Sequence, residues 1–195
     1  MLAYIVGKLS YKSAAQVYVE VNGVGYEVNI SLNTYSAIEK LEQVKLYTYL
    51  QIKEDAHTLF GFFEKEEKDM FVLLISVSGI GAATARMMLS SLKPDEVASA
   101  IAANNVRLIE SVKGIGKKTA ERLVLELKDK VGIKNDAGNQ IWDRGVISVE
   151  RDAINALFAL GIAQKQAELS VKKILTSEPS ITKLEDLIKK ALKAI

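Results

Sequence analysis

The chain has 195 residues, 49% of them hydrophobic, and a formal net charge of only +2. That length allows two or three compact units with real cores, and the near-balanced charge excludes a ligand binder that works through a global electrostatic field. There is no cysteine, which excludes disulfides, thiolate metal sites and a cysteine nucleophile and fits a reducing cytosol. No apolar run approaches the roughly 18 residues of a membrane span. Met1 to Lys8 also lacks the basic start and long apolar stretch of a secretory signal, so a cytoplasmic protein with no membrane partner is expected.

Residues 1–63 read as strands. Tyr4–Leu9, Gln16–Val21 and Tyr26–Ile30 are β-branched and aromatic with partial alternation, and Asn22-Gly23 is a strong hairpin signal between the second and third. Ser31 is a candidate cap for a short helix reaching about Lys40. Val44–Leu50 and Thr58–Phe63 add two more strands. Five short strands with one helix between the third and fourth match the order of an OB-like barrel.

From Glu64 the hydrophobic period becomes helical, with Phe71, Leu74 and Ile75 on one face and Met87, Met88 and Leu92 on a later stripe. Pro94-Asp95-Glu96 starts another helix, with proline in the first turn and acids near the N-terminus. Leu108 and Ile109 lead into a last helix reaching about Lys130. Within this region one pattern occurs twice. Val77-Ser78-Gly79-Ile80-Gly81-Ala82-Ala83-Thr84-Ala85-Arg86 returns, 35 residues on, as Val112-Lys113-Gly114-Ile115-Gly116-Lys117-Lys118-Thr119-Ala120-Glu121. Over 16 positions seven residues are identical, the last being Leu92 and Leu127, so the repeat is one helix–turn–helix unit used twice.

Periodicity fails from Ile133 to Ser148, where Asn135, Asp136, Gly138, Asn139 and Gly145 are scattered, and a linker is expected. Trp142 lies within it, as an exposed aromatic or a transient docking residue. Helical patterning returns over Glu150–Leu160, Ala163–Leu175 and Lys183 to the end, the content of a small three-helix bundle. The fold class is therefore α+β. The expected division is a barrel over 1–63, a tandem helical domain over 64–132, a linker over 133–148 and a bundle over 149–195.

The duplicated Gly-x-Gly carries the chemistry. Glycines at the start of a helix let backbone N–H groups face outward where the helix dipole is positive, which favours an anion. Two such turns on one body suit phosphates at regular intervals, hence a nucleic-acid backbone. The copies differ in side chains. Lys117 and Lys118 follow the second turn at the end of the helix where cations are disfavoured, and segment 113–130 holds six basic and three acidic residues. The first turn has Ala82 and Ala83 there, with Arg86 one turn on, and must rely on its amides. Glu54-Asp55 reads from the residues alone as a polar hairpin tip. No third ligand or basic partner accompanies the pair for metal or acid–base work. His57, the only histidine, reads as a barrel-strand residue. Tyr47, Tyr49, Phe60, Phe62 and Phe63 fit either a base-stacking face or, more simply, core packing and subunit contact. No catalytic residue, cofactor or metal is expected, and the chain lacks a Gly-x-x-x-x-Gly-Lys-Ser/Thr phosphate loop.

Together, the five-strand pattern, the two Gly-Ile-Gly units, the run Gly114–Leu123 and the Glu54-Asp55-Ala56 stretch before Leu59-Phe60-Gly61-Phe62 resemble the RuvA family, over essentially the whole chain. The alanines at 82 and 83 depart from the family pattern, which usually has a basic residue just after the second glycine. The resemblance implies structure-selective, sequence-independent binding of Holliday junctions. The binding residues would be Gly79, Ile80, Gly81, Ala82, Ala83 and Arg86 at the first turn and Gly114, Ile115, Gly116, Lys117, Lys118 and Thr119 at the second. It implies a homotetramer, or two face to face as an octamer, with Glu54 and Asp55 as an acidic pin at the centre. It further implies partnership with the hexameric RuvB ATPase, with the RuvC resolvase as a further candidate, and branch migration in recombination and repair. The Ala156–Ile162 stretch resembles the RuvB-binding bundle, with Leu157, Leu160 and Ile162 as candidates for its exposed contact or, equally, for its core. A helix–hairpin–helix DNA glycosylase and a protein-binding scaffold are the rival readings. Two hairpins after a barrel argue against the glycosylase.

Overall fold

The computed structural model describes residues 2–128, 130–131, 149–178 and 183–194. They fall into two compact units, Met1–Lys134 and Asn135–Ile195. The stretch expected to be a linker, with Trp142, lies outside the described residues.

The first unit begins with a closed five-stranded barrel of order β1-β2-β3-β5-β4. Its strands are β1 (Tyr4–Lys12), β2 (Gln16–Val21), β3 (Val24–Asn29), β4 (Gln43–Ile52) and β5 (His57–Phe62), with helix α1 (Leu32–Ile38) between β3 and β4. Neighbouring strands are antiparallel except β3 and β5, which meet in parallel at Asn29 and Phe60. The Asn22-Gly23 turn has positive φ at both residues, 50° and 82°, as a two-residue hairpin of type I′ requires. β1 runs three residues past its expected end. An irregularity between Leu9 and Tyr11 re-registers it, so that Tyr11 and Lys12 still pair with Tyr18 and Val17. Gly7 is fixed by packing, because a Cβ there would lie 2.2 Å from the Glu20 carbonyl oxygen. Val17, Val19, Val28, Ile30, Ile38 and Leu46 centre the barrel core.

Five helices follow: α2 (Lys65–Ile75), α3 (Ala82–Ser91), α4 (Pro94–Ala102), α5 (Val106–Glu110) and α6 (Lys117–Leu127). Pro94 takes the first position of α4, and the Lys93 N–H donates to the Glu96 carboxylate at 2.7 Å. The Leu108-Ile109 lead-in is a helix of its own, capped by Asn105 Oδ1, which accepts from the Leu108 N–H. Met88 is buried in the helical core as its periodicity predicts, whereas Met87 is 44% exposed.

Barrel and helices share one core. Phe60 and Phe62 of β5 pack with Phe71 of α2, the ring centroids 5.2 and 4.9 Å apart, and Tyr49 of β4 meets the same ring edge-on at 5.5 Å. Tyr49, Phe60 and Phe62 therefore pack in the core, the simpler of the two expectations, whereas the Tyr47 ring lies beside Lys45 Nζ. Polar contacts run along the same seam. Asn33 Nδ2 donates to the Leu89 and Leu92 carbonyls at the end of α3, and the Leu32 N–H donates to Ser90 Oγ.

The described residues of the second unit form α7 (Val149–Ala159), α8 (Gln164–Ser177) and α9 (Leu184–Lys193) around a core of Ala153, Leu157, Ala167, Val171, Leu187 and Ala191. Gly161, at φ 90°, ends α7 in a Schellman turn. Its N–H donates to the Phe158 carbonyl, and the Ile162 N–H donates to the Leu157 carbonyl.

Candidate nucleic-acid interface

The sequence repeat is a structural repeat at the level of single hydrogen bonds. In the first turn the Ile80 N–H donates to the Val77 carbonyl at 3.1 Å and the Ala85 N–H to the Gly81 carbonyl at 2.9 Å. In the second, Ile115 to Val112 and Ala120 to Gly116 repeat both bonds at the same distances. Gly79 and Gly114 have φ of 94° and 93°, a conformation that glycine alone adopts at no steric cost. Ile80 and Ile115 then point inward and are almost fully buried, so these positions offer the surface backbone rather than side chain.

The second glycine of each pair is different. Gly81 and Gly116 cap α3 and α6 at φ −86° with ψ 167° and 163°, ordinary extended backbone open to any residue. A Cβ at either would meet nothing within 4 Å. Serine or aspartate would be the better cap there, so the fold itself does not ask for glycine at these two places. What their bareness leaves open is approach to the amides. The N–H groups of Gly81, Ala82 and Ala83, and of Gly116, Lys117 and Lys118, donate to no protein acceptor among the described residues. They sit where the helix dipole is positive. The two turns are neighbours, since a Cβ on Gly79 would touch the Thr119 side chain at 3.8 Å.

The flanking side chains complete the site unevenly. Lys117 and Lys118 are exposed at the first positions of α6, as is Lys113 before the turn. Ala82 is buried and Ala83 exposed. Arg86 is half-buried, and its Nη1 donates to the Ala15 carbonyl and to Asn29 Oδ1, both at 2.9 Å. Burial pulls its guanidinium pKa below the ordinary arginine value, though it stays a cation. In the structure this charge braces α3 against the barrel, while Nε and Nη2 have no protein partner among the described residues.

At the other end of the barrel, β4 and β5 are joined through a tip in which the Lys53 N–H donates to the Ala56 carbonyl at 2.9 Å. Residues 52–57 are all exposed, His57 included, as it opens β5. Glu54 and Asp55 form no ion pair among the described residues.

In the second unit, Leu157 takes the core alternative of the two readings left open for it. It is 0% exposed and belongs to the core, so it forms no exposed contact. Ile162 packs on that same core, and the two are the apolar pair that accompanies a Schellman turn. Leu160 does face outward, at 63% exposure, and so do Phe158 and Leu169, which sequence reasoning missed. Also missed was Glu67, buried at 4% exposure. Its spacing from Met70, Phe71 and Leu74 places it on the buried stripe of α2, and that spacing is the signal that could have found it.

A closed barrel followed by two helix–hairpin–helix turns side by side, each with outward amides at a helix N-terminus, defines an architecture suited to meeting a phosphate backbone. Comparison with known proteins narrows the class. Residues 1–61 match the family profile of the RuvA N-terminal domain, 71–129 the SAM-like helix-hairpin-helix tandem and 148–195 the RuvA C-terminal domain. A relative from Christiangramia forsetii is 49% identical over the whole of both chains. One from Cytophaga hutchinsonii is 48% identical over 99% of each, and one from Flavobacterium psychrophilum is 47% identical over 99% of each. All three are named Holliday junction branch migration complex subunit RuvA. The chain belongs to the RuvA family.

Proposed function

We propose that this chain is the junction-recognition subunit of a branch-migration complex, the role its relatives' names describe. It binds four-way DNA by shape and not by sequence. The observation that carries this reading is the pair of adjacent turns whose outward amides meet no protein acceptor among the described residues. Phosphate contacts carry no base information, so sequence independence follows. The residues in contact are the backbone of Gly79–Ala83 and Gly114–Lys118, the ammonium groups of Lys117 and Lys118 and the hydroxyl of Thr119, with the free edge of Arg86 beside the first turn.

Four copies form the working assembly, alone or as two facing tetramers. Support for a subunit contact comes from the outer face of β1 and β4, where Tyr4 and Val6 are 54% and 52% exposed and Lys45 Nζ sits 4.6 and 5.0 Å from the Tyr4 and Tyr47 rings. In that assembly the four Glu54-Asp55 tips converge on the crossover, where carboxylates repel phosphates and keep the junction open and planar. The exposed Phe158, Leu160 and Leu169 of the bundle recruit the hexameric RuvB ATPase, with RuvC as a further partner. This chain carries no catalysis, and the energy comes from RuvB.

The test is binding of a four-way junction against linear duplex of the same sequence. A marked preference for the junction is expected, and equal or absent binding overturns the reading. Glu54→Lys with Asp55→Lys should erode that preference by turning central repulsion into attraction. Unchanged discrimination would refute the central role of the tip.

A further inference from the structure

Glu67 is a buried carboxylate that forms no ion pair among the described residues. Its two oxygens accept from the hydroxyls of Ser31 and Thr34, the latter at 2.7 Å. Ser31 Oγ in turn accepts from the Thr34 N–H at 3.0 Å, and Thr34 Oγ1 accepts from the Phe63 N–H at 3.1 Å. No buried side-chain polar atom among the described residues is left without a partner, so the cluster closes on itself.

Its place in the chain is what gives it meaning. Phe63 follows β5, the strand that leads away from the acidic tip, and Glu67 lies in the first turn of α2, the helix that leads to the first Gly-Ile-Gly. Ser31 and Thr34 start α1, whose Leu32 and Asn33 hold the end of α3. One carboxylate therefore ties together the strand from the tip, the helix to the first turn and the helix that braces α3.

Stability does not explain a buried charge here. Replacing the carboxylate and both hydroxyls together by apolar groups of the same shape can be nearly neutral, and the Phe71 aromatic cluster already holds barrel and helices together. Apolar contact is non-directional, however, whereas a carboxylate fixed by two hydroxyls sets an angle.

We propose that the Glu67–Ser31–Thr34 cluster is a positioning device: it fixes the barrel that carries the acidic tip relative to the helices that carry the two turns, and thereby sets selectivity for junction over duplex. This rests on the reading that tip and turns act on one junction. Glu67 is a positioning residue and touches no DNA.

Two full-length variants, Glu67→Leu and Glu67→Gln, test it through affinity for a four-way junction, affinity for linear duplex and thermal stability. Glu67→Leu keeps duplex affinity, because turns and aromatic seam are intact, while Tm falls modestly because the buried Ser31 and Thr34 hydroxyls lose their acceptor. Its junction-over-duplex ratio falls about fivefold, within the range by which residues bridging two sites modulate coupling. Glu67→Gln retains most of the ratio, since an amide can still bond both hydroxyls. The proposal is overturned if Glu67→Leu stays as selective as the parent, if junction and duplex binding fall together with Tm, or if Glu67→Gln is as unselective as Glu67→Leu. Should Glu67→Leu not fold, Thr34→Val removes one hydroxyl arm, and an unchanged ratio there refutes the device. A parent that itself binds both DNAs alike is a different failure, which removes the proposed function first.

Discussion

The first and second Gly-Ile-Gly turns share a backbone and differ in nearly everything around it. Their φ values at the first glycine agree to 1° and their paired hydrogen bonds are equal in length. Yet the second turn leads into two exposed lysines, while the first leads into alanines and is pinned to the barrel through Arg86, Ser90 and the carbonyls of Leu89 and Leu92. What the two have in common is the outward amides and the bare capping glycine, so these are the minimal device. Charge is an addition to one copy, and rigid anchorage is an addition to the other. On the proposed reading, the second turn contributes salt-sensitive attraction, and the first contributes a fixed point of reference relative to the acidic tip.

The largest expected effect breaks the charged copy. Lys117→Ala with Lys118→Ala should weaken junction binding strongly and reduce the slope of log affinity against log salt by about 1.8, for two phosphates no longer neutralised. Its mirror is Ala83→Lys at the exposed position of the first turn, which should steepen the same slope by about 0.9. Salt titrations of both variants check this, and an unchanged slope in the lysine variant contradicts phosphate contact there. A smaller effect isolates what the turns share. Gly116→Ser supplies a better helix cap in open space, so Tm should hold or rise by an amount worth a few tenths of a kcal/mol while DNA binding weakens. Loss of both together would mean the glycine serves the fold.

The smallest effect concerns the braced side. Burial raises the Glu67 pKa, partly offset by the Ser31 and Thr34 hydroxyls and reinforced by Glu64. A carboxyl that holds its proton more tightly when folded contributes stability that is complete below its unfolded pKa and is lost as pH rises through its folded pKa. Glu67→Gln lacks that loss. The Tm of the variant minus that of the parent should therefore become more positive as pH rises through this window, and a pH-independent difference would contradict it.

Much of the fold was legible because its signals are local. Asn22-Gly23, Ser31, Pro94 and the duplicated glycines each specify a turn or a cap within four residues, and each forms what it specifies. The features that were not legible bridge long stretches of chain. Glu67 meets residues 33 and 36 positions away, and Arg86 meets residues 57 and 71 positions away. Nothing in a window around Arg86 says that the barrel, and not a ligand, takes its Nη1. Leu157 is open between core and surface in the sequence for a related reason. At a helix end the apolar residues of the core and of the surface are adjacent in sequence, and only the Schellman geometry at Gly161 sorts Leu157 and Ile162 inward from Phe158 and Leu160 outward.

Hydrogen–deuterium exchange of the full chain with and without a four-way junction probes the two turns themselves. Slowed exchange is expected in peptides covering 79–83 and 114–118, in both copies and despite their different side chains. Exchange unchanged at both turns, with protection elsewhere on the molecule, would mean that DNA is held by some other surface.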